Sequence, residues 1–468
     1  MVLAHNEKLK NTSRVDFEKH EARNRVDALT IAMTARERWP RERLLEFQQY
    51  RLREIVQHAV ANSPYYHDVI GDVRNGHVDV RHLPVLTKKT MMAEFDRIVT
   101  DRRLTLAVAE EHLTSKVAAQ PLFGKYRIVG SGGTTGRRGV VIYDQYAWDV
   151  AVASLLQMLK FQGVSQETRV VGIGAPTPLH VTNRLFAELR TRSSDAPRLA
   201  VTTPLPEMIE ALNAYQPEAL ITYPSVIRRL AEAQQEGQLR IAPRQFSSVA
   251  ETLTPDVRDL ARAVWGARVL NAYASTETNL IGVECPWSTG VHLLEDRVVV
   301  EVVDEDNQPV PAGVAGHKVL ITNLFNRTFP LIRYEISDIV AIADGLCPCG
   351  RPHLRLSSIQ GRREDIMKLP ARSGGGLVNV HAMLLGETLL LIPEVRQYQL
   401  SPRDNSLLVR VVLREAAEEP AVLLSARQAL EAELDRLGAA VDSITVEAVS
   451  EIKRVGGGAK EKLVSLID

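Results

Sequence analysis

The sequence predicts an α/β fold, with a large N-terminal α/β body of stacked sheets and helices followed by a small α+β domain. From about Thr114 to Gln360, short β-branched runs alternate with amphipathic helical stretches, a pattern typical of buried sheets covered by helices. A change of composition follows Gly361. The chain has 468 residues, which is too long for one simple core. We therefore expect a large domain over 1–360 and a small domain over 361–468.

The predicted elements follow in chain order. Residues 1–113 should be mainly helical, since apolar side chains between Leu44 and Val56 recur near helical spacing and a turn at 62–66 ends that run. In the body, the sequence predicts strands at 169–173, 219–222, 268–271 and 318–322 and helices at 226–235 and 255–264. In the small domain it predicts strands at 377–380, 398–400, 407–413 and 443–448 and a helix over 420–437.

Composition and charge exclude several classes of protein. Hydrophobic residues make up 45% of the chain, charged residues 24%, and the formal net charge is zero, so there is no electrostatic case for nucleic acid as a partner. The arginines from Arg23 to Arg53 are interleaved with acidic residues, as on a solvated helical surface. No segment has the roughly 18 uninterrupted apolar residues that a membrane span needs, and the N-terminus has no leader pattern. We expect a cytoplasmic protein with no membrane partner.

A glycine-rich segment precedes the β-branched run Val140–Tyr143. Its backbone N–H groups and hydroxyls can close around phosphate oxygens. It has neither the Gly-Lys-Ser/Thr ending of a Walker loop nor the glycine spacing of a dinucleotide fold. Taken alone, it also fits an ordinary connection between strands, where glycine provides positive φ. The candidate phosphate-binding residues are Ser131, Gly132, Gly133, Thr134, Thr135 and Gly136.

Four further segments follow the glycine-rich segment. They are Tyr273-Ala274-Ser275-Thr276-Glu277, Arg333-Tyr334-Glu335-Ile336-Ser337-Asp338, Gly361-Arg362-Arg363-Glu364-Asp365 and Gly457-Gly458-Ala459-Lys460. In this order, and over nearly the whole chain, the five segments resemble the motifs of the adenylate-forming acyl-CoA synthetase superfamily. Within it the chain is most similar to the phenylacetate-CoA ligase group.

The resemblance implies a site for ATP and Mg²⁺ with catalytic residues on both domains. Glu277 is expected to hold Mg²⁺, a hard cation that prefers oxygen ligands. Tyr273 is expected to stack on adenine and Asp338 to accept both ribose hydroxyls. Lys460 is expected to bridge the substrate carboxylate and the α-phosphate, carried there by a mobile small domain. Arg362 is expected to contact the ribose or the phosphates in one of two states of that domain, which pivots within 361–365.

The resemblance also implies further positions around the nucleotide and the acid. Those assigned to the nucleotide are Ala250, Glu251, Ala272, Ser275 and Thr276. The acid pocket is expected along 172–180 and 223–225. Its small residues and few aromatics favour a compact acid, with an aromatic acid included, over a long fatty chain.

Three cysteines and a histidine form a second candidate site. Cys347 and Cys349 stand one residue apart, a spacing at which a disulfide would be strained, and Cys285 and His292 lie upstream. Three thiolates and one imidazole make a closed tetrahedral zinc site, which would be structural. Similar clusters occur in the phenylacetate-CoA ligase group. Free thiols are the alternative, and His353 competes with His292 as the fourth ligand.

The reaction implied is an AMP-forming ligation. ATP would activate a carboxylic acid as acyl-AMP with release of pyrophosphate, and coenzyme A would then take the acyl group as a thioester. An amine, a hydroxyl or a carrier protein remains open as the acceptor, as does activation of another oxyanion. A non-catalytic protein that retains the fold is disfavoured by the presence of Glu277, Asp338 and a C-terminal lysine. A homodimer is an open option.

Overall fold

The computed structural model describes residues 20–71, 78–130, 139–192, 195–287, 290–363, 366–390, 392, 394–403, 405–414 and 417–452. Helices and sheets of a large body are followed by a small α+β unit, so the predicted fold class is confirmed. None of the helices within these ranges combines the length and the apolar character that crossing a membrane requires.

Helices fill the N-terminal part of the body, as the sequence predicts for 1–113. They are α1 (20–36), α2 (Arg41–Asn62), α3 (Pro64–Ile70), α4 (Lys88–Ala93), α5 (Phe95–Ile98) and α6 (Leu106–Thr114), with a 3₁₀ turn at Val80–His82. The predicted turn after α2 forms because Ser63 caps α3. Its side chain accepts the Tyr66 N–H, and Pro64 occupies the first turn, where a helix needs no donor.

A nine-stranded sheet forms the middle of the body. Its strands are β3 (Val170–Gly174), β4 (Leu199–Ala200), β5 (Ala219–Thr222), β6 (Gln245–Ser248), β7 (Arg268–Ser275), β8 (Asn279–Glu284), β9 (Val291–Leu293), β13 (Asp338–Ile342) and β14 (Arg355–Arg362), in the order β13-β14-β9-β8-β7-β6-β5-β3-β4. The pairings among β3, β4, β5, β6 and β7 are parallel, and the other pairings, beginning with β7 and β8, are antiparallel. The connecting helices are α7 (Gln145–Phe161), α8 (Val181–Arg190), α9 (Leu205–Tyr215), α10 (Pro224–Gln235) and α11 (Pro255–Trp265).

Strand β7 places the first site residues. The sequence predicts an end at Asn271, but the strand continues to Ser275 because its last four residues pair antiparallel with β8. This pairing depends on a partner strand rather than on local composition. Tyr273 is therefore a strand residue, and the turn to β8 carries Thr276 and Glu277.

Smaller sheets flank the nine-stranded sheet. Strands β1 (Arg127–Gly130) and β2 (Val140–Tyr143) pair antiparallel on either side of the glycine-rich segment. Strands β10 (Val298–Val303), β11 (Lys318–Asn323) and β12 (Tyr334–Ile336) form a three-stranded sheet. The glycine-rich residues 131–136 lie outside the described residues, but the two strands that flank them are largely buried.

The small unit has its own apolar core. Its elements are β15 (Ile366–Pro370), β16 (Leu377–His381), α12 (Ala382–Leu390), β17 (Val395–Arg403), β18 (Ser406–Leu413), α13 (Glu419–Arg436) and β19 (Ser443–Ala448). Leu385, Leu400, Val409 and Leu430 are fully buried in a core separate from that of the body. Strand β15 and helix α12 were not predicted from the sequence. The division at residue 361 remains a prediction, and β14 runs through it to Arg362.

Candidate active site

The turn between β7 and β8 is held in place by hydrogen bonds from both sides. Ser275 Oγ accepts the backbone N–H of Thr278 across 3.1 Å, which closes the turn. Tyr143, at the end of β2, donates its hydroxyl to the Thr276 carbonyl across 2.8 Å. The turn that carries Glu277 is thus tied to the strand that follows the glycine-rich segment.

Tyr273 and Asp338 meet although 65 residues separate them. Asp338 begins β13, and the Tyr273 hydroxyl donates to its Oδ2 across 2.7 Å. Both residues are buried. Burial, followed by the charge of Asp338, raises the pKa of Tyr273 well above its ordinary value, so the phenol stays a neutral donor.

Glu277 and Tyr334 form a second contact between the predicted motifs. Tyr334 opens β12 and its hydroxyl lies 3.3 Å from Glu277 Oε1. Burial and then the Glu277 charge raise the pKa of Tyr334, which keeps the hydroxyl protonated. Glu277 is 9% exposed. A carboxylate offers about four lone-pair sites, so one tyrosine contact leaves capacity for a cation.

Arg362 lies beside Asp338 because their strands are paired. In the antiparallel register of β13 and β14 the two residues are partners, and Arg362 Nε lies 3.3 Å from Asp338 Oδ1. The neighbouring Gly361 has a φ of 113°, a conformation that side-chain-bearing residues rarely adopt. The predicted pivot therefore begins with a backbone position that needs glycine, while residues 364 and 365 lie outside the described residues.

The remaining residues that were predicted around the nucleotide have surroundings that differ from one another. Ala272 is a buried residue of β7. Ala250 follows β6 with a φ of 70°, and the Glu251 carboxylate accepts the Ser225 N–H and hydroxyl at the start of α10, across 3.1 and 3.2 Å. Lys460 lies outside the described residues.

Two tyrosines that position these groups were not predicted from the sequence. Tyr143 ends the β-branched run after the glycine-rich segment and Tyr334 lies in the segment 333–338, but the sequence alone gives neither a role. Their positions in the sequence were the available signal. Tyr143 ends the strand after the glycine-rich segment, and Tyr334 lies four residues before Asp338. Arg333, beside Tyr334, has a structural partner. It forms a two-bond ion pair with Glu301 of β10, with N–O distances of 2.9 and 3.1 Å.

The cysteine cluster assembles as expected for a metal site. Cys285 Sγ lies 3.7 Å from Cys347 Sγ, and Cys349 Sγ lies 3.6 Å from His292 Nε2. All four donor atoms lie within 4.8 Å of one another, and this donor set and spacing fit tetrahedral zinc. Burial, together with nearby positive groups, lowers the pKa of His292 to about 3, so the imidazole is neutral as a ligand must be.

His353 lies outside the cluster of four donors. Its Nδ1 faces Glu295 Oε2 across 3.9 Å. The sequence left open which of the two histidines is the fourth ligand. The structure brings His292 to the cysteines, because β9 pairs with β14 and the loop before β14 carries two of the cysteines. In that pairing Arg355 lies opposite His292.

Comparison with known proteins gives a family match over the middle of the chain. Residues 127–321 match the model described as "AMP-binding enzyme". This part of the chain is therefore similar to AMP-binding enzymes. The matched range runs from β1 to β11 and includes the β7–β8 turn with Glu277.

The chain is also similar to curated proteins and solved structures over most of its length. It is 27% identical over 402 residues to phenylacetate-coenzyme A ligase of Thermus thermophilus, covering 81% of this chain and 83% of the relative. It is 26% identical to the ligase of the same name in Escherichia coli, covering 80% and 84%. Its fold matches 2-hydroxyisobutyryl-CoA ligase in the postadenylation state with a TM-score of 0.70 at 19% identity, covering 89% and 88%. The predicted resemblance to the adenylate-forming acyl-CoA synthetase superfamily is confirmed.

Proposed function

We propose that this protein is an AMP-binding enzyme that activates a carboxylic acid with ATP and transfers the acyl group to coenzyme A. The observation that carries the proposal is a pair of buried hydrogen bonds between two motifs that are far apart in sequence. Tyr273 donates to Asp338 and Tyr334 donates to Glu277, and the first motif lies in the range that matches AMP-binding enzymes. The two relatives named phenylacetate-coenzyme A ligase support coenzyme A as acceptor and a compact acid as substrate.

The first step needs an environment that offsets negative charge. A carboxylate oxygen bonds to the α-phosphorus of ATP while the bond from that phosphorus to the pyrophosphate oxygen breaks. Both partners are anions, so cations and hydrogen-bond donors must lower the barrier. When bound, Mg²⁺ would neutralise phosphate charge, and Glu277 is the residue we propose to hold it. Lys460 and the segment 131–136 are the proposed donors to the carboxylate and the phosphates.

The ribose is proposed to bind at Asp338. In the structure this carboxylate accepts from Tyr273 and pairs with Arg362. Two ribose hydroxyls would compete with Arg362 for the carboxylate, so the guanidinium could turn to the phosphates. Tyr273 would keep its bond to Asp338 and present its ring to adenine. Ala250, Glu251, Ala272, Ser275 and Thr276 are proposed to line the nucleotide.

Zinc in the cysteine cluster is proposed to be structural. Cys285, His292, Cys347 and Cys349 provide four protein ligands, which leaves no open position for substrate. The cluster joins the end of β8 and strand β9 to the loop before β14. A metal there would fix that edge of the nine-stranded sheet.

Substrate use is tested by pyrophosphate exchange. The full chain is incubated with labelled pyrophosphate, ATP, Mg²⁺ and a panel of carboxylic acids that includes phenylacetate, and products are then identified with and without coenzyme A. Acid-dependent exchange followed by a thioester is the expected result. Exchange without thioester formation would favour an amine, hydroxyl or carrier protein as acceptor, and no exchange across a broad panel would contradict the proposal. ATP and coenzyme A as substrates agree with the cytoplasmic location expected from the sequence.

A further inference from the structure

Two of the three cysteines lie in turns of the same kind. The Cys285 sulfur accepts the backbone N–H of Trp287, two residues further along the chain. The Cys349 sulfur accepts the backbone N–H of Arg351 in the same way. The second turn passes through Gly350, whose φ of 75° is unfavourable for residues with a side chain. A backbone donor to each sulfur favours the thiolate, which is the form that binds a metal.

Arg351 gives the Cys349 sulfur a second donor, and this donor is charged. The Arg351 side chain also hydrogen-bonds that sulfur. Its Nε donates to Glu37 Oε2 across 2.9 Å, and its guanidinium carbon lies 3.9 Å from the centre of the Phe161 ring. The side chain is 11% exposed, so little water competes for these contacts. Arg351 therefore has a fixed place beside one of the four candidate metal ligands.

The partners of Arg351 are themselves held by further contacts. Glu37, which directly follows α1, is 4% exposed, and its Oε1 accepts from Gln157 Nε2 across 2.8 Å. Phe161 packs edge-on against the ring of His292, another candidate ligand, with the ring centroids 5.4 Å apart. Arg351 thus connects a buried carboxylate near the N-terminal helices to two of the four donors, to Cys349 by contact and to His292 through the Phe161 ring.

The charge of Arg351 matters because a zinc site of this composition carries excess negative charge. Three cysteine ligands bring three negative charges, Zn²⁺ offsets two of them, and a neutral imidazole adds none. A buried charge is costly unless a counter-charge or a hydrogen-bond donor faces it. Arg351 provides both to Cys349, and Arg355 adds a second positive charge near His292.

We propose that Arg351 is a positioning residue for the zinc site. It keeps the Cys349 sulfur fixed relative to the other three donors, and it offsets the excess negative charge that the site acquires when zinc binds. This role rests on the structural zinc of the proposed function. Lysine cannot replace Arg351 fully, since an ammonium keeps the charge but lacks the planar fork that contacts a carboxylate and a sulfur together.

The test measures the zinc affinity of the reduced, full-length protein by competition with a chromogenic chelator. Arg351→Met should weaken zinc binding about tenfold or more, as loss of a group that orients a metal ligand does. Arg351→Lys should weaken it less, because the charge is kept. Arg228→Met is the matched control, since it also removes a largely buried arginine from an ion pair, here with Asp256 between α10 and α11. The control should bind zinc as the wild type does.

Cobalt in place of zinc gives a readout that a purely structural role would not move. The sulfur-to-cobalt charge-transfer band should shift to longer wavelength in Arg351→Met, because a thiolate that loses an N–H donor is a stronger electron donor. Glu37→Gln separates position from charge. It leaves the cation but weakens the contact that orients it, so zinc affinity should fall about threefold. Tighter zinc binding in Glu37→Gln would mean that charge alone acts, and would overturn the positioning role.

An unchanged zinc affinity or an unchanged band in Arg351→Met would overturn the proposal, as would an equal loss of affinity in Arg228→Met. If Arg351→Met does not fold, Arg351→Lys and Glu37→Gln decide, and wild-type zinc affinity in both would overturn the role. A wild-type chain that binds neither zinc nor cobalt when its thiols are reduced would overturn the proposed zinc site itself.

Discussion

The hydroxyl of Tyr273 donates to Asp338 Oδ2 across 2.7 Å and so joins two motifs of the family in one buried contact. The bond fixes the carboxylate that we propose for ribose and the ring that we propose for adenine. Because burial and the Asp338 charge raise the pKa of Tyr273, its hydroxyl stays protonated and donates to the Asp338 carboxylate across the physiological pH range. Its removal should affect nucleotide binding before it affects the fold.

Tyr273→Phe tests this contact. The ring remains while the donor is lost, and Asp338 keeps Arg362 as a partner. We expect the KM for ATP in pyrophosphate exchange to rise about fivefold and the free energy of unfolding to fall by about 1 kcal/mol. Tyr126→Phe is the matched control, since Tyr126 donates to Asp101 across 2.6 Å outside the candidate site. It should lose stability without a change in KM, and an equal KM effect in both variants would contradict the assignment.

Glu277→Gln tests the proposed magnesium ligand. Glutamine retains an oxygen that can accept from Tyr334, so the fold should be preserved while the carboxylate charge is lost. Because metal stabilisation of the transition state is worth several kcal/mol, we expect exchange to fall at least about 100-fold. The rate is followed across a magnesium titration.

The partner variant Tyr334→Phe separates charge from hydrogen bonding. It removes only the 3.3 Å contact to Glu277 Oε1, so its exchange rate should fall by less than about tenfold. A wild-type rate for Glu277→Gln at every magnesium concentration would show that Glu277 does not hold the metal.

The local sequence predicts an element correctly where the composition of that segment alone determines its secondary structure. Strands 219–222 and 443–448 have the predicted bounds, because β-branched runs there are bounded by turn residues. Helix α12 was missed because its residues are apolar without a clear helical period. Strand β15 was missed because it follows a charged segment and is stabilised by pairing with β16.

Prediction of the candidate site has the same limit, because local sequence does not reveal contacts made by tertiary packing. The order of the motifs predicted which residues gather, and Tyr273, Glu277, Asp338 and Arg362 do lie in two contacting groups. The supporting contacts were not predictable, since Tyr143 reaches Thr276 and Tyr334 reaches Glu277 only through tertiary packing. The roles of 131–136 and Lys460 remain predictions.

Metal content tests the cysteine cluster. Purified protein should contain one zinc per chain, and His292→Asn and Cys347→Ser should both lose it, since each removes one of four ligands. His353→Asn should retain it, because His353 faces Glu295 instead. Loss of zinc should lower the melting temperature more than the exchange rate per folded molecule. Zinc-free wild-type protein of unchanged stability would support free thiols.

The ion pair of Arg333 with Glu301 predicts a pH-dependent loss of stability. Both side chains are largely buried, and Arg333 also donates to the carbonyls of Arg81 and Leu83 across 2.9 and 2.8 Å. Arg333→Met leaves the Glu301 carboxylate buried without its cation, which should cost about 3–5 kcal/mol at neutral pH. The free energy of unfolding is measured with denaturant at pH 5 and pH 8.

The sign of the pH effect follows from the pKa of Glu301. Burial raises that pKa in the folded protein, and Arg333 opposes the rise, so the pKa climbs further when Arg333 is removed. Below the pKa of the unfolded chain the carboxyl is protonated in both states and costs nothing; as the pH rises through the folded pKa, stability is lost. Arg333→Met should therefore be less stable at pH 8 than at pH 5, relative to wild type. The double variant Arg333→Met/Glu301→Gln should lose that pH dependence, and an equal deficit at both pH values in Arg333→Met would contradict the buried-charge explanation.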